Sequence, residues 1–185
     1  MCKGLMSRRE EDMRSAQDGP LKEIYLAGGC FWGVEKAMSL LDGVVQTECG
    51  YANGDPLLRP DYLLVCSGKF GYAETVKVVY DSNDIDLNKI LKAFFMIIDP
   101  TKLNRQGNDI GIQYRTGVYW TDEDSGRIVV EILTKLSERF DEFYTEASPL
   151  FNYTAAEEYH QKYLDRNPGG YCHISPMVMD DIGKL

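Results

Sequence analysis

A cysteine stands where an apolar run of this sequence turns into a helical pattern. The segment reads Ala27-Gly28-Gly29-Cys30-Phe31-Trp32-Gly33 and follows the strand-like Ile24-Tyr25-Leu26. A thiol at a helix start lies near unpaired backbone N–H groups and the positive end of the helix dipole, and both favour the thiolate. Phe31 and Trp32 add a large apolar surface beside it. The segment therefore predicts a nucleophile that attacks a small, partly apolar group, although a small buried cysteine at a helix start is an equally common outcome.

Several polar residues could assist such a nucleophile, and each also has a simpler structural reading. Glu74 opens a strand after two aromatic or small residues, and apolar surroundings there would keep it protonated as an acid; a solvated carboxylate is the commoner case. Asp109 and Tyr114 flank a glycine-containing turn and could orient hydrogen bonds, but a turn Asp usually bonds its own backbone. Tyr51 and Tyr62 are more often packing residues than site residues.

The other cysteines and the histidines leave alternatives open. Cys172 lies in a glycine-flanked tail, where it could reach another thiol or remain an unpaired surface cysteine. Cys66 lies in an apolar run and is expected in the core, whereas Cys49 precedes a tight turn and is ambiguous. His160, among tyrosines, is expected to be structural, so a Cys-His hydrolase has weak support.

Composition narrows the class of protein. The 185 residues carry a net charge of -9 and suit one domain, and no basic stripe gathers the 20 Lys and Arg, so no nucleic-acid partner is expected. The sequence has no apolar run of membrane-spanning length and no signal-peptide pattern, which predicts a cytoplasmic protein without a membrane partner. Five widely spaced cysteines do not resemble a secreted disulfide framework, and two histidines without a C-x-x-C pair predict no metal site.

The apolar pattern predicts strands and helices in mixed order. Strands are expected over 24–27, 44–49, 63–66, 74–80, 113–120 and near 150–153, and helices after Cys30, after caps at Asp86 and Asp124, and from a capping box at Thr154. This order favours an α+β fold, a two-layer α/β sandwich with a mixed, largely antiparallel sheet, a ferredoxin-like core and an irregular C-terminal tail. Residues 1–20 are predicted to form a mobile arm, and residues 21–185 are predicted to form a single catalytic domain.

Seven segments, taken in chain order, resemble peptide methionine sulfoxide reductase of the A type, a family that reduces the S epimer of methionine sulfoxide. The resemblance covers about residues 22–172, and several matches in the family's order are far more specific than any one of them. The segments are Gly29-Cys30-Phe31-Trp32-Gly33-Val34-Glu35, Gly50-Tyr51, residues 60–68, Gly71-Tyr72-Ala73-Glu74, residues 104–115, residues 158–164, and Asn167-Pro168-Gly169-Gly170-Tyr171-Cys172.

The resemblance implies roles for residues of this chain. The reaction implied is attack of Cys30 on the sulfoxide sulfur, with Glu74 as the acid, and condensation of the resulting sulfenic acid with Cys172. The residues implied to contact the substrate are Tyr62 and Tyr114 at the sulfoxide oxygen, Phe31 and Trp32 at the S-methyl group, Asp109 at the polar end, and Tyr51.

The resemblance further implies a reductant and excludes a bound cofactor. We expect no tightly bound cofactor, thioredoxin as electron donor with dithiothreitol as its substitute in vitro, oxidised proteins and free methionine sulfoxide as substrates, and a monomer. The chain departs from the family at Tyr72 and Ile98, where histidines are usual. Two other functions therefore stay open at the level of sequence: a hydrolase with His160 as base, and a module that binds oxidised methionine but has lost turnover.

Overall fold

The sheet at the centre of the molecule carries the candidate site at one end. Residues 21–185 are described by a computed structural model; the arm predicted over residues 1–20, with Cys2, lies outside the described residues. The six strands of the sheet stand in the order β7-β6-β1-β3-β2-β8. All neighbours are antiparallel except β6 and β7, which are parallel. The strands are β1 Leu21–Gly28, β2 Val44–Ala52, β3 Ala73–Asp81, β6 Thr116–Trp120, β7 Glu146–Pro149 and β8 Tyr153–Ala155.

Shorter elements complete the fold. A two-stranded hairpin consists of β4 Arg105–Gln106 and β5 Asp109–Ile110. The helices of the described residues are α1 Phe31–Met38, α2 Tyr62–Cys66, α3 Leu87–Ile97, α4 Glu123–Ser137, α5 Tyr163–Arg166 and α6 Pro176–Ile182, with 3-10 turns at Ile112–Tyr114 and Glu158–His160. Within residues 21–185, no helix has the length and apolar character needed to span a membrane.

The predicted α+β class and ferredoxin-like core are confirmed by this topology. The four inner strands run β6-β1-β3-β2, and α1 and α3 connect them on one face of the sheet, where they pack on each other. Alternation along β1 explains the two layers, because successive side chains of a strand point to opposite faces. Ile24 and Leu26 enter the main core under the helices, whereas Tyr25 and Ala27 join a smaller apolar cluster on the other face.

Several boundaries differ from the sequence-based expectations. Residues 63–66 form a helix rather than a strand, because Asp61 caps it by accepting the Leu64 N–H at 2.8 Å. Cys66 is therefore exposed on this helix rather than buried in the core. The predicted cap of α4 is also wrong: Asp122, not Asp124, accepts the Ser125 N–H at 2.9 Å.

The C-terminal third holds the other differences. Thr154 pairs with Tyr51 in the sheet, so the capping box expected there starts no helix, and the strand that was expected to end at Cys49 continues to Ala52. The tail that was predicted to be irregular ends in α6, whose cap Ser175 and first-turn Pro176 are ordinary helix-start residues.

Candidate active site

Cys30 lies at the N-cap of α1, directly after β1. The turn between them needs Gly29, whose φ of 82° lies in the left-handed region that favours glycine. Gly28 is needed for a different reason: a Cβ there would lie 2.8 Å from both Ile98 Cγ2 and Phe94 Cε2. The strand-to-helix turn thus fits tightly against α3, and the cysteine is held with only 7% of its surface exposed.

The electrostatics of Cys30 differ from the expectation for an exposed helix start. Burial raises the pKa of its thiol well above the ordinary value, and the charge of Glu74 acts in the same direction. The backbone N–H groups of Trp32 and Gly33 lower the pKa, as predicted, but by less. The raised pKa favours the thiol, whereas the position at a helix start would by itself favour the thiolate. Glu74 raises the pKa of Cys30 only when it is ionised. Protonation of Glu74 therefore removes this contribution and leaves burial as the main cause of the raised pKa.

Glu74 lies on β3 and is 2% exposed. Burial raises its pKa from 4.5 to about 8, although the Phe31 N–H, which donates to its Oε2 at 3.1 Å, acts against the shift. At neutral pH the carboxyl group is mostly protonated, so it can donate a proton or a hydrogen bond. The sequence alone favoured a solvated carboxylate; the structure has the buried acid instead.

One small cavity joins the two groups. Its volume is about 150 Å³, and its lining consists of Cys30, Phe31, Trp32, Tyr62, Glu74, Asp109, Tyr114 and Tyr171. Seven of these residues were candidates from the sequence, and they come from segments far apart in the chain. Tyr171 was not: it donates to Asp109 Oδ2 at 3.1 Å, and only its position next to Cys172 could have suggested it. A larger groove of about 560 Å³ between α3 and α4 contains neither a thiol nor a histidine.

Tyr62 and Tyr114, two of the three tyrosines that line the cavity, are hydrogen-bond donors. Burial raises the pKa of both Tyr62 and Tyr114 far above 10, and the nearby carboxyl and thiol groups add to this effect. Both phenols thus stay protonated at any physiological pH. Tyr62 is fixed at the start of α2, where its backbone N–H donates to Glu157 Oε1 at 2.9 Å.

Trp32 forms an apolar wall that is supported from behind. Its ring stacks on Tyr163 with centroids 3.8 Å apart, and its Nε1 donates to His160 Nδ1 at 3.1 Å. Burial lowers the pKa of His160, so this histidine is neutral at pH 7, and it does not line the cavity. The base that a Cys-His hydrolase requires is therefore engaged with an indole rather than with Cys30.

Tyr51 does not line the cavity. It is fully buried behind Phe31, with ring centroids 5.9 Å apart, and its hydroxyl donates to Glu157 Oε2 at 2.7 Å. Glu157 thus holds both Tyr51 and the backbone of Tyr62. The structure gives Tyr51 a supporting position rather than contact with a substrate.

The tail brings Cys172 to the start of α1. A Cβ added at Gly33 would lie 3.3 Å from Cys172 Sγ and 2.9 Å from Ile174 Cδ1, so the tail packs on the bare backbone of that glycine. Cys172 is partly exposed and, like the other cysteines of residues 21–185, is a free thiol. Cys49, in contrast, is fully buried beneath α1, where its Sγ lies 3.8 Å from the Phe31 carbonyl oxygen.

The two departures from the expected pattern lie outside the cavity. The Tyr72 hydroxyl lies 2.5 Å from the Asp55 carbonyl oxygen and 2.7 Å from that of Leu58, and it fastens the loop before α2. Ile98 packs on Gly28 in the core. Neither residue lines the cavity, so the acid, the thiol and the tyrosines meet without the usual histidines. Between residues 21 and 185, no cluster of three or more His, Cys, Asp or Glu side chains could hold a metal ion.

Comparisons with known proteins identify relatives over most of the chain. The family model described as peptide methionine sulfoxide reductase matches residues 22–182. The peptide methionine sulfoxide reductase MsrA of Mycoplasma genitalium is 50% identical over 155 residues, which cover 83% of this chain and 98% of the relative. The crystal structure of reduced Mxr1 from Saccharomyces cerevisiae superposes with a TM-score of 0.79 at 36% identity, over 84% of this chain and 91% of that one. The structure of methionine sulfoxide reductase A of Corynebacterium diphtheriae superposes with a TM-score of 0.74 at 34% identity, over 84% of this chain and 79% of that one.

Proposed function

The chain belongs to the peptide methionine sulfoxide reductase family, and from this premise we propose that the cavity around Cys30 reduces the S epimer of methionine sulfoxide. The protein is an oxidoreductase, and its reaction is the return of methionine sulfoxide to methionine. The proposal concerns how the residues of this chain perform that reaction. The observation that carries it is a buried carboxylic acid, Glu74, in the same small cavity as the Cys30 thiol.

The first step is attack of the Cys30 sulfur on the sulfoxide sulfur. A sulfoxide is a poor electrophile until its oxygen is protonated or strongly hydrogen-bonded. Glu74 delivers that proton, the thiol proton of Cys30 returns to Glu74, and the Tyr62 and Tyr114 hydroxyls donate to the oxygen. The hydroxyl then passes to the sulfur of Cys30, and both the S–S bond formed by the attack and the S–O bond of the substrate break. Methionine is released in reduced form, and Cys30 is oxidised by two electrons to the sulfenic acid.

The walls of the cavity select the substrate. Phe31 and Trp32 offer apolar surface to the S-methyl group, and the volume of about 150 Å³ suits one small side-chain end. Asp109, held by Tyr171, lies where a backbone amide of the substrate can donate to it. Because the acid and the apolar wall are fixed relative to Cys30, only one arrangement of oxygen and methyl about the sulfur satisfies both. This explains selection of a single epimer.

The second step regenerates the thiol. Cys172 attacks the sulfenic sulfur of Cys30, an S–S bond forms, and the oxygen leaves as water. A dithiol donor of the thioredoxin type then reduces the disulfide by two thiol exchanges. The position of Cys172 on Gly33, close to the start of α1, supports this relay. No tightly bound cofactor takes part in the proposed sequence, because thiols carry all the electrons.

The proposed setting follows from the composition. An intracellular compartment with reduced thiols, such as the cytoplasm, supplies the dithiol donor that the relay needs. Both free methionine sulfoxide and oxidised residues in exposed protein segments fit the open cavity, and a monomer suffices because every group of the proposed reaction comes from one chain.

The test uses each epimer of a blocked methionine sulfoxide with dithiothreitol, and resolves methionine by chromatography. We expect reduction of the S epimer alone, and absence of reduction by folded protein would refute the proposal. The relay is tested with Cys172→Ser, which should keep activity with dithiothreitol and lose it with thioredoxin. Cys66→Ser is the matched control, because Cys66 is also accessible but has no step assigned to it. Full thioredoxin-dependent turnover of Cys172→Ser would assign resolution to another thiol.

A further inference from the structure

His173 follows Cys172 and occupies a cradle made of three glycines. A Cβ added at Gly29 would lie 3.5 Å from His173 Cε1, and a Cβ added at Gly33 would lie 3.4 Å from the same atom. A Cβ added at Gly107 would lie 3.4 Å from His173 Cβ. Gly29 and Gly33 bracket Cys30 in the chain. The imidazole therefore lies over the first turn of α1, against the backbone that carries the proposed nucleophile.

The same point on α1 meets the sulfur of Cys172. The Cβ position of residue 33 lies 3.3 Å from Cys172 Sγ and 3.4 Å from His173 Cε1. The Cys172 thiol and the His173 imidazole thus both pack against the backbone of Gly33. Cys30, at the N-cap of α1, precedes the helical turn that contains Gly33. A side chain at residue 33 would displace both groups, which gives a reason for glycine there.

Both ring nitrogens of His173 are buried and lack a hydrogen-bond partner among residues 21–185. Leaving buried polar atoms unpaired costs about 1–3 kcal/mol for each group, whereas an apolar side chain would fill such a cradle without this cost. Burial lowers the pKa of His173, although Asp109 acts to raise it, so the ring is neutral at pH 7 and can accept a proton. Packing alone does not account for a histidine at this position.

We propose that His173 is the general base of the resolution step. It takes the proton of the Cys172 thiol as that sulfur attacks the sulfenic sulfur of Cys30, and it gives the proton to the departing hydroxyl. The S–S bond forms, the S–O bond of the sulfenic acid breaks, one water leaves, and His173 ends neutral as it began. The inference rests on the proposed function, because it assigns a proton carrier to the relay from Cys172 to Cys30.

The experiment separates the two steps in a single turnover without reductant. Full-length protein is mixed with a blocked methionine S-sulfoxide, and methionine release and loss of free thiol are followed in time. In His173→Gln and His173→Ala we expect the first methionine to appear at the wild-type rate and the disulfide to form about 100-fold more slowly, within the usual range for loss of a general base. The sulfenic acid on Cys30 should then accumulate and be trapped by dimedone, and we expect the same trapping in Cys172→Ser.

Chemical rescue distinguishes a base from a packing residue. Added imidazole should accelerate disulfide formation in His173→Ala, where it can enter the space left by the ring, and should leave the wild type and His173→Gln unchanged. Disulfide formation at the wild-type rate in both variants would overturn the inference, as would slowing of methionine release to the same extent. If the wild-type protein itself released no methionine, the proposed function would fail instead.

Discussion

The indole nitrogen of Trp32 donates a hydrogen bond to His160 Nδ1 at 3.1 Å. His160 therefore accepts a hydrogen bond from a residue that forms the apolar wall of the cavity. His160 is 1% exposed and its ring also lies 4.9 Å from that of Phe31. The pair joins the two aromatic walls of the cavity to the segment after β8. This relationship makes His160 a support for substrate binding.

Replacement of His160 by Phe keeps a planar ring but removes the acceptor. We expect the KM for blocked methionine sulfoxide to rise about fivefold, because a lost hydrogen bond of this kind costs ~1 kcal/mol. The value of kcat should stay within about threefold of wild type, since in this mechanism the proton comes from Glu74. Steady-state kinetics with dithiothreitol measures both constants. A fall of kcat by orders of magnitude would instead favour a catalytic base at His160.

The raised pKa of Glu74 predicts how the rate of the reaction depends on pH. Its pKa of about 8 means that the protonated acid prevails below that pH and decreases tenfold for each pH unit above it. We therefore expect kcat/KM of the first step to fall as pH rises above about 8. Glu74→Gln should lower the rate by about 100-fold or more and remove the decline. A wild-type rate that still increased above pH 9 would contradict the assignment of Glu74 as the acid.

The same group affects stability. Its pKa in the folded state, about 8, lies above its ordinary value of 4.5, so the unfolded chain loses this proton first as pH rises. The contribution of Glu74 to stability is therefore complete below pH 4.5 and is lost by the time pH has passed about 8. Thermal unfolding of wild type and Glu74→Gln should show a Tm difference that shifts in favour of the variant between pH 5 and pH 9. A constant difference would mean that Glu74 is already ionised in the fold.

The loop before α2 depends on a contact between Gly54 and Tyr72. A Cβ at residue 54 would lie 2.2 Å from Tyr72 Cγ, so Gly54→Ala should displace the ring and cost about 1–3 kcal/mol. Gly169→Ala is the matched control, because nothing lies within 4 Å of the added Cβ, and its stability should change by less than about 1 kcal/mol. Urea unfolding measures both. Equal effects would show that Tyr72 does not fix this loop.

The sequence predicted the core of the fold because its patterns are local and strong. The apolar run of β1, the alternation in β3 and the helical spacing in α1 and α3 were sufficient to infer a two-layer α/β sandwich. Segments whose apolar residues fit two structures were predicted less well: Tyr62–Cys66 is β-prone in composition, and only the cap at Asp61 decides for helix. At Thr154, pairing with Tyr51 outweighs a local helix-start signal, and that pairing spans about half of the chain.

For the candidate site, too, the sequence identified residues that are close together in the chain but not the contacts between distant segments. Cys30 and its neighbours are contiguous, so the sequence alone identifies them. The burial of Glu74 depends on α1 lying across β3, and the position of Tyr171 and His173 depends on how the tail folds back over Gly33. Such contacts join residues that are 43 or more positions apart in the chain, and no local pattern encodes them. For the same reason the sequence did not reveal that Tyr51 lies behind Phe31.

The raised pKa of Cys30 has a consequence for survival of the enzyme under oxidative stress. Peroxide and similar oxidants attack thiolates far faster than thiols, so a permanently ionised nucleophile would be consumed under the conditions that create its substrate. Burial raises the pKa of the Cys30 thiol and so favours its protonated form. A thiol that is protonated and only 7% exposed reacts more slowly with such oxidants than an exposed thiolate would, and this favours survival of the enzyme under the conditions that produce its substrate.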